Sequence, residues 1–163
     1  MKPFERIIEE HGPVVLRVCR AVLGSNDAED AWSETFMAAL KAYPRLRAGS
    51  NVRGWLVTIA HRKAIDIARA RTRGPIAVGQ LPEIAAAAHQ RPARWADLAA
   101  ALESLPPRQR EAVAYHYIAG LSYKDVAAIT GSNASASRRA AADGIAALRR
   151  VFQTRKVPKG AVR

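Results

Sequence analysis

The residue types that perform covalent chemistry form no catalytic constellation in this sequence. His61 and Asp66 stand five positions apart on a helical segment, so they do not share a face. His116 lies among Tyr115, Tyr117 and Ile118, the surroundings of a packed or surface histidine. Cys19 is the only cysteine and sits among Leu16, Val18, Val22 and Leu23, where a small buried thiol is the ordinary reading. No Cys/His cluster has zinc spacing, and neither a phosphate loop nor a nucleophile elbow is present. We therefore expect no enzyme, no metal and no cofactor. What recurs is charge. Arg45, Arg47 and Arg53 occupy residues 44–54 without one acid, Arg62 and Arg69 share a side of the next helix, and Arg138 and Arg139 are adjacent. Asp27, Asp30 and Glu34 form an acidic counterpoint. Such groups recognise charged partners.

The balance of the whole chain agrees. Among 163 residues, 26 Lys and Arg oppose 14 Asp and Glu, a net charge of +12. That excess favours a polyanion such as nucleic acid. A single cysteine excludes an intrachain disulfide and suits a reducing cytoplasm. The start, "MKPFERIIEEHG", has acids where a signal peptide needs an apolar run, and no stretch approaches membrane-span length. The expected location is cytoplasmic, without a membrane partner.

The elements that position these residues read as helices throughout. Val/Ile/Thr alternation is nowhere sustained, whereas Ala, Leu and Arg dominate. Residues 4–23 carry Ile8, Val15, Val18, Cys19 and Val22 at helical spacing, with an expected break near "HGP" at residues 11–13. "SNDAEDAWSETFMAALKAY" continues with Trp32, Phe36, Ala39, Leu40 and Tyr43 on one face and Asp27, Asp30 and Glu34 on the opposite one. An irregular loop follows over residues 44–54, then a helix to Arg73 with Trp55, Leu56, Ile59 and Ile67 as its apolar stripe and Thr58, His61, Arg62 and Arg69 on another side. Residues 74–94, with three prolines and two glycines, read as a flexible linker between two small helical domains, 1–73 and 95–152. The second domain begins with "WADLAAALESL", restarts at Pro106-Pro107, and closes a further helix at Gly120. From Arg149 onward six basic residues and no acid suggest a frayed tail, assigned as 153–163 outside the domain.

"GLSYKDVAAITGSNASASRRA", residues 120–140, has the punctuation of a helix-turn-helix. Ser122 and Asp125 resemble a capping pair, Gly131 supplies a left-handed stop, and Asn133 or Ser135 can cap the next helix, which is expected to run to about Arg150. In that motif the second helix enters the major groove. A helical hairpin in a bundle shows similar punctuation.

"DAEDAWSETFMAAL", "WLVTIAHRKAIDIAR", "LESLPPRQREAVAYHYIAGLSYKDVAAITG" and the terminal "ALRR" together resemble a bacterial sigma factor of the extracytoplasmic function (ECF) group of the sigma-70 family, over roughly residues 4–150. The resemblance implies an all-α protein of two domains, region 2 and region 4, that binds core RNA polymerase and promoter DNA and directs transcription initiation. Asp27, Glu29, Asp30 and Glu34 match the acidic segment that docks on the clamp helices of the polymerase β′ subunit, and region 4 implies a contact with the β flap. Arg45, Arg47, Ser50, Asn51 and Arg53 match the loop that captures a flipped base of the −10 element, with His61, Arg62, Lys63 and Arg69 on the helix facing that element. Trp55 and Ile59 are assigned to packing, and Asp66 to a local ion pair. Ser122, Tyr123, Lys124, Asn133, Ser135, Arg138 and Arg139 match the −35 reader. An anti-sigma factor becomes a candidate partner on the same ground. The chain departs from the family at Ser137, where an aliphatic residue is usual, at Ala141 and Asp143, where Leu and a basic residue are common, and at Arg62, which stands for a common asparagine. Ser137 and Ala141 imply looser packing of the reading helix, Asp143 repels phosphate, and the linker has only Glu83 where acids are usual. The alternative function is a free-standing helix-turn-helix regulator that binds duplex DNA without polymerase.

Overall fold

The computed structural model describes residues 1–73 and 93–156, and every regular element among them is helical. The first group comprises α1 (Phe4–Leu23), α2 (Ser25–Ala42), a 3-10 turn (Tyr43–Arg45) and α3 (Val52–Arg73). The second comprises α4 (Ala93–Glu103), α5 (Pro107–Val113), a π-helical turn (Ala114–Ile118), α6 (Tyr123–Thr130) and α7 (Ala134–Lys156). Apart from its last two residues, the segment expected as a linker lies outside the described residues, as do residues 157–163.

The expected break at "HGP" does not occur: α1 stays helical through Pro13. Proline removes one backbone donor there, but helix identity in a packed protein follows tertiary burial more than local propensity. Val15, Val18, Cys19 and Ala21, just beyond Pro13, are all buried. The Trp32 indole N–H donates to the Gly12 carbonyl at 2.9 Å and fastens α2 to the same turn. The core of the first three helices gathers Ile7, Val15, Phe36, Leu56 and Ala60. Phe4 packs across Tyr43 at 5.3 Å between ring centres, and Trp32 across Phe36 at 4.7 Å. Leu40 does not join this face. The buried stripe of α2 runs through Ala28, Ala31, Thr35, Phe36 and Ala39, and leaves Leu40 55% exposed.

The second core is not self-contained. Leu102, Leu105, Val113, Tyr115, Ala119, Val126 and Leu148 from α4 to α7 enclose one apolar cluster with Val18 and Ala21 of α1 and Val57 of α3. Each such aliphatic side chain, fully buried, contributes about 1.5–3 kcal/mol. Within the second group α5 and α7 approach so closely that a Cβ on Gly144 would lie 2.7 Å from a Val113 methyl carbon. The helix α7 continues past Arg150 to Lys156, because Val151 and Phe152 pack against the shared cluster.

Polar contacts fasten the same junction. The Arg110 guanidinium donates to the carbonyls of Leu102 (2.9 Å), Glu103 (3.0 Å) and Leu105 (2.9 Å) at the end of α4, and reaches the Val22 carbonyl of α1 at 3.2 Å. The His61 ring and the Tyr115 hydroxyl share a hydrogen bond of 2.6 Å. Arg53 donates to the Ala119 carbonyl at 3.4 Å.

Two outcomes follow for the folded state. Arg110→Ala removes a charged donor from four carbonyls and is expected to cost about 2–4 kcal/mol, read from the urea midpoint. Burial, then the charge of Arg62, holds the His61 imidazole below its ordinary pKa. The unfolded chain then binds protons that the folded one resists, so stability present above about pH 6.5 declines as pH falls through and below that value. His11, also held low by burial and by Arg53, acts in the same direction, so the double variant His11→Gln, His61→Gln is expected to flatten the urea midpoint between pH 7 and 5.

Candidate nucleic-acid interface

The exposed side of α2 carries acid at one end and apolar surface at the other. Glu29, Asp30 and Glu34 are exposed, and on the same side Met37 and Leu40 are 61% and 55% exposed. Positions 30, 34, 37 and 41 follow one another at three- and four-residue steps, with Glu29 and Leu40 along one flank, so this is one continuous stripe. Asp27 lies at its margin, half-buried and ion-paired with Arg71 of α3, so it ties α2 to α3. Met37 went unrecognised from sequence because a methionine in a helix reads as core; the spacing from Asp30 was the available signal.

The loop between α2 and α3 is organised by its own polar residues. Ser50 donates through its hydroxyl to the Arg47 carbonyl at 2.7 Å, and Asn51 accepts from the Gly54 N–H at 3.1 Å, capping α3. The Tyr43 hydroxyl donates to the Lys2 carbonyl. Arg45 and Arg47 are exposed. Between this loop and α1 lies a cavity of about 300 Å³ whose polar lining comprises Lys2, Glu10, His11, Tyr43, Arg47 and Ser50. Lys2 and Glu10 pair at 3.0 Å, and the His11 Nδ1 is buried without a hydrogen-bond partner among the described residues. A small planar polar group fits such a site. The contributions of Lys2, Glu10 and His11 were illegible in sequence, since nothing local joins residues 2–11 to residues 43–50.

Along α3 the candidate side chains divide. Arg62 and Arg69 are exposed and Lys63 is half-buried. His61, expected on the polar side, is only 8% exposed and meets Tyr115 across the junction. Burial pushes the Tyr115 phenol well above its usual pKa, with Glu111 adding to it, so a neutral phenol faces a neutral imidazole. Arg53, like His61, is engaged by the second group of helices. In this arrangement neither faces solvent freely.

The turn between α6 and α7 follows its local chemistry. Ser122 accepts from the Asp125 N–H at 3.1 Å, Gly131 has φ 72° in the left-handed region, and Asn133 accepts from the Ala136 N–H at 2.8 Å. Asn133 is thus the cap and Ser135 is simply exposed. Ser137 and Ala141 are buried at 3% and 0%, and the Ser137 hydroxyl continues a chain through Ser132 (3.0 Å) to Thr130 (3.2 Å). Where looser packing was expected, small side chains instead let α7 seat closely and satisfy a buried hydroxyl. Lys124, Arg138, Arg139 and Asp143 are exposed on this surface. The Arg138 guanidinium lies 5.2 Å from the centre of the Tyr123 ring, and that ring stacks on His116 at 3.9 Å.

No group of residues that could hold a metal ion is found among the described residues, and no described helix is long and apolar enough to cross a membrane.

The chain is similar to known proteins along most of its length. The model of sigma-70 region 2 matches residues 7–74, and that of sigma-70 region 4 matches residues 95–148. The ECF RNA polymerase sigma factor SigE of Mycolicibacterium smegmatis is 33% identical over 142 residues, which are 80% of this chain and 54% of that protein, so the chain spans about half the length of that relative. The ECF RNA polymerase sigma factor SigD of Mycobacterium tuberculosis is 33% identical over 148 residues, 83% of this chain and 70% of that protein. The fold is shared with the sigma factor RpoE of Bartonella quintana, solved in complex with the anti-sigma factor NepR, at TM-score 0.75 and 23% identity over 94% of this chain and 98% of that one. With both region models in order and a relative such as SigD matched along most of its length, the chain belongs to the ECF sigma factors of the sigma-70 family.

Proposed function

We propose that this protein binds core RNA polymerase and directs it to promoters, with α2 as the polymerase-docking surface, the α2–α3 loop and α3 as readers of a melted −10 strand, and α7 as the reader of duplex −35 DNA. The observation that carries this reading is the presence in one basic chain of an exposed acidic and apolar stripe on α2 and of two exposed arginines at the start of α7. An acidic stripe suits a basic partner, and the apolar continuation through Met37 and Leu40 adds area that excludes water. DNA takes the basic surfaces. The cavity beneath residues 46–52 is the place for an unstacked base, where polar groups from two elements converge on its edge.

Activity then requires movement. Arg53 and His61 are engaged by the second domain, so capture of a −10 base through them follows separation of the two domains. The β′ clamp helices and β flap are the polymerase elements that would hold them apart. The RpoE structure contains an anti-sigma factor, and an equivalent partner for this chain would act by favouring the closed arrangement. No covalent chemistry is assigned. Burial pushes the Cys19 thiol up to about 12, His61 is committed to Tyr115, and the His116 ring is bonded to the Leu121 carbonyl at 2.7 Å.

Replacement of Glu29, Asp30 and Glu34 by Ala is expected to weaken binding to core polymerase about tenfold or more while leaving the helical circular-dichroism signal unchanged; unaltered binding would remove α2 from the interface. Arg138→Ala with Arg139→Ala is expected to cost about 1–3 kcal/mol per lost contact and to weaken the footprint upstream without affecting polymerase binding. The isolated protein should bind duplex DNA weakly with steep salt dependence. Tight sequence-specific binding without polymerase would instead indicate a free-standing regulator.

A further inference from the structure

After Val113 the helix widens into the π turn, with the Ala119 N–H donating to the Ala114 carbonyl five residues back. Such turns insert one residue into a helix and re-aim the side chains around it, frequently beside functional sites. Here Ala114 and Tyr115 point into the shared core, while Tyr117 is 56% exposed and His116 flanks the start of α6. A carbonyl only accepts, so the 2.7 Å contact with Leu121 places a proton on the His116 Nδ1 and fixes the plane of the ring. Tyr117 meets one side of this ring edge-on at 4.8 Å, and Tyr123 lies parallel to it, 14° from coplanar. The Tyr123 ring in turn carries the Arg138 guanidinium.

We propose that His116 is a positioning residue for DNA reading, holding Tyr123 as a platform that pre-orders Arg138 at the start of α7. The proposal rests on the reading of α7 as the −35 recognition helix. An exposed arginine loses considerable rotamer freedom when it engages a base edge or a phosphate. A cation held over an aromatic face has surrendered part of that freedom beforehand, which lowers the cost of binding. A role confined to satisfying the Leu121 carbonyl would need the imidazole N–H but not the parallel ring.

The test uses the full chain assembled with core polymerase. Duplex DNA randomised over the upstream element is enriched on this holoenzyme, and the best duplex and its single-base variants are compared by competition. Arg138→Ala identifies the base pair whose discrimination depends on that side chain. His116→Ala is expected to reduce discrimination at the same pair about two- to fivefold, with no further loss in the Arg138→Ala background. His116→Phe, which keeps a ring but not the N–H, is expected to restore it. Loss in both His116 variants alike, or in neither, overturns the proposal while leaving the −35 reading intact. No enrichment, or no effect of Arg138→Ala, removes that reading and the proposal with it. Should His116→Ala fail to fold by circular dichroism, Tyr123→Leu, which removes the platform itself, carries the same expected coupling to Arg138, and independence of the two overturns the proposal.

Discussion

Val57 of the first domain and Tyr115 of the second occupy one apolar cluster, and most of the molecule's arrangement follows from that sharing. Three short helices, one long one and a π turn enclose little volume, and a unit of this size buries too small a fraction of its surface to be robust alone. The second domain completes its core with Val18, Ala21 and Val57 from the first. Arg110 and the His61–Tyr115 bond then satisfy the polar groups that this contact removes from water. The same contact engages Arg53 and His61, two of the side chains proposed to read DNA. In the proposed reading, stability of the free chain and readiness to bind are thereby set in opposition.

Charge separates the surfaces in the opposite sense. The excess of +12 is expressed in exposed arginines at the α2–α3 loop, along α3 and at the start of α7. Four of the 14 acids lie on α2, and the exposed ones, Glu29, Asp30 and Glu34, lie away from its buried stripe. Oppositely charged surfaces on one small protein favour two partners of different chemistry, and they orient the encounter as well as strengthen it.

What could be read from sequence was what short-range chemistry decides. Ser122, Gly131 and Asn133 act within three residues of themselves, and the hinge between α6 and α7 has the form their types imply. Helical periodicity found Phe36 and Ala39 on the buried side of α2 and Leu56 on that of α3, but it missed the buried Val57, Ala60 and Ala64, and Trp55, Ile59 and Ile67 of its expected α3 stripe are only partly buried. The misreadings all concern tertiary packing. Pro13 does not break α1 because residues beyond it are buried on two sides. Phe152 extends α7 because a core lies beneath it. His61 reads as a polar surface residue until Tyr115, 54 positions away, is placed against it. Leu40 and Met37 show the converse, where apolar type suggests packing and the surface holds them out. The candidate site was legible as a set of charges, and its cavity, which needs α1 against the loop, was not.

The central claim is that the free chain is held closed through the shared cluster and opens on polymerase. Spin labels at Glu5→Cys and Ala146→Cys, both at exposed positions, with Cys19 buried and unreactive, report the separation of the two domains directly. The account predicts a single narrow distance in the free protein and a longer one in the complex with core polymerase. A broad distribution in the free chain, or a distance unchanged by polymerase, would contradict it.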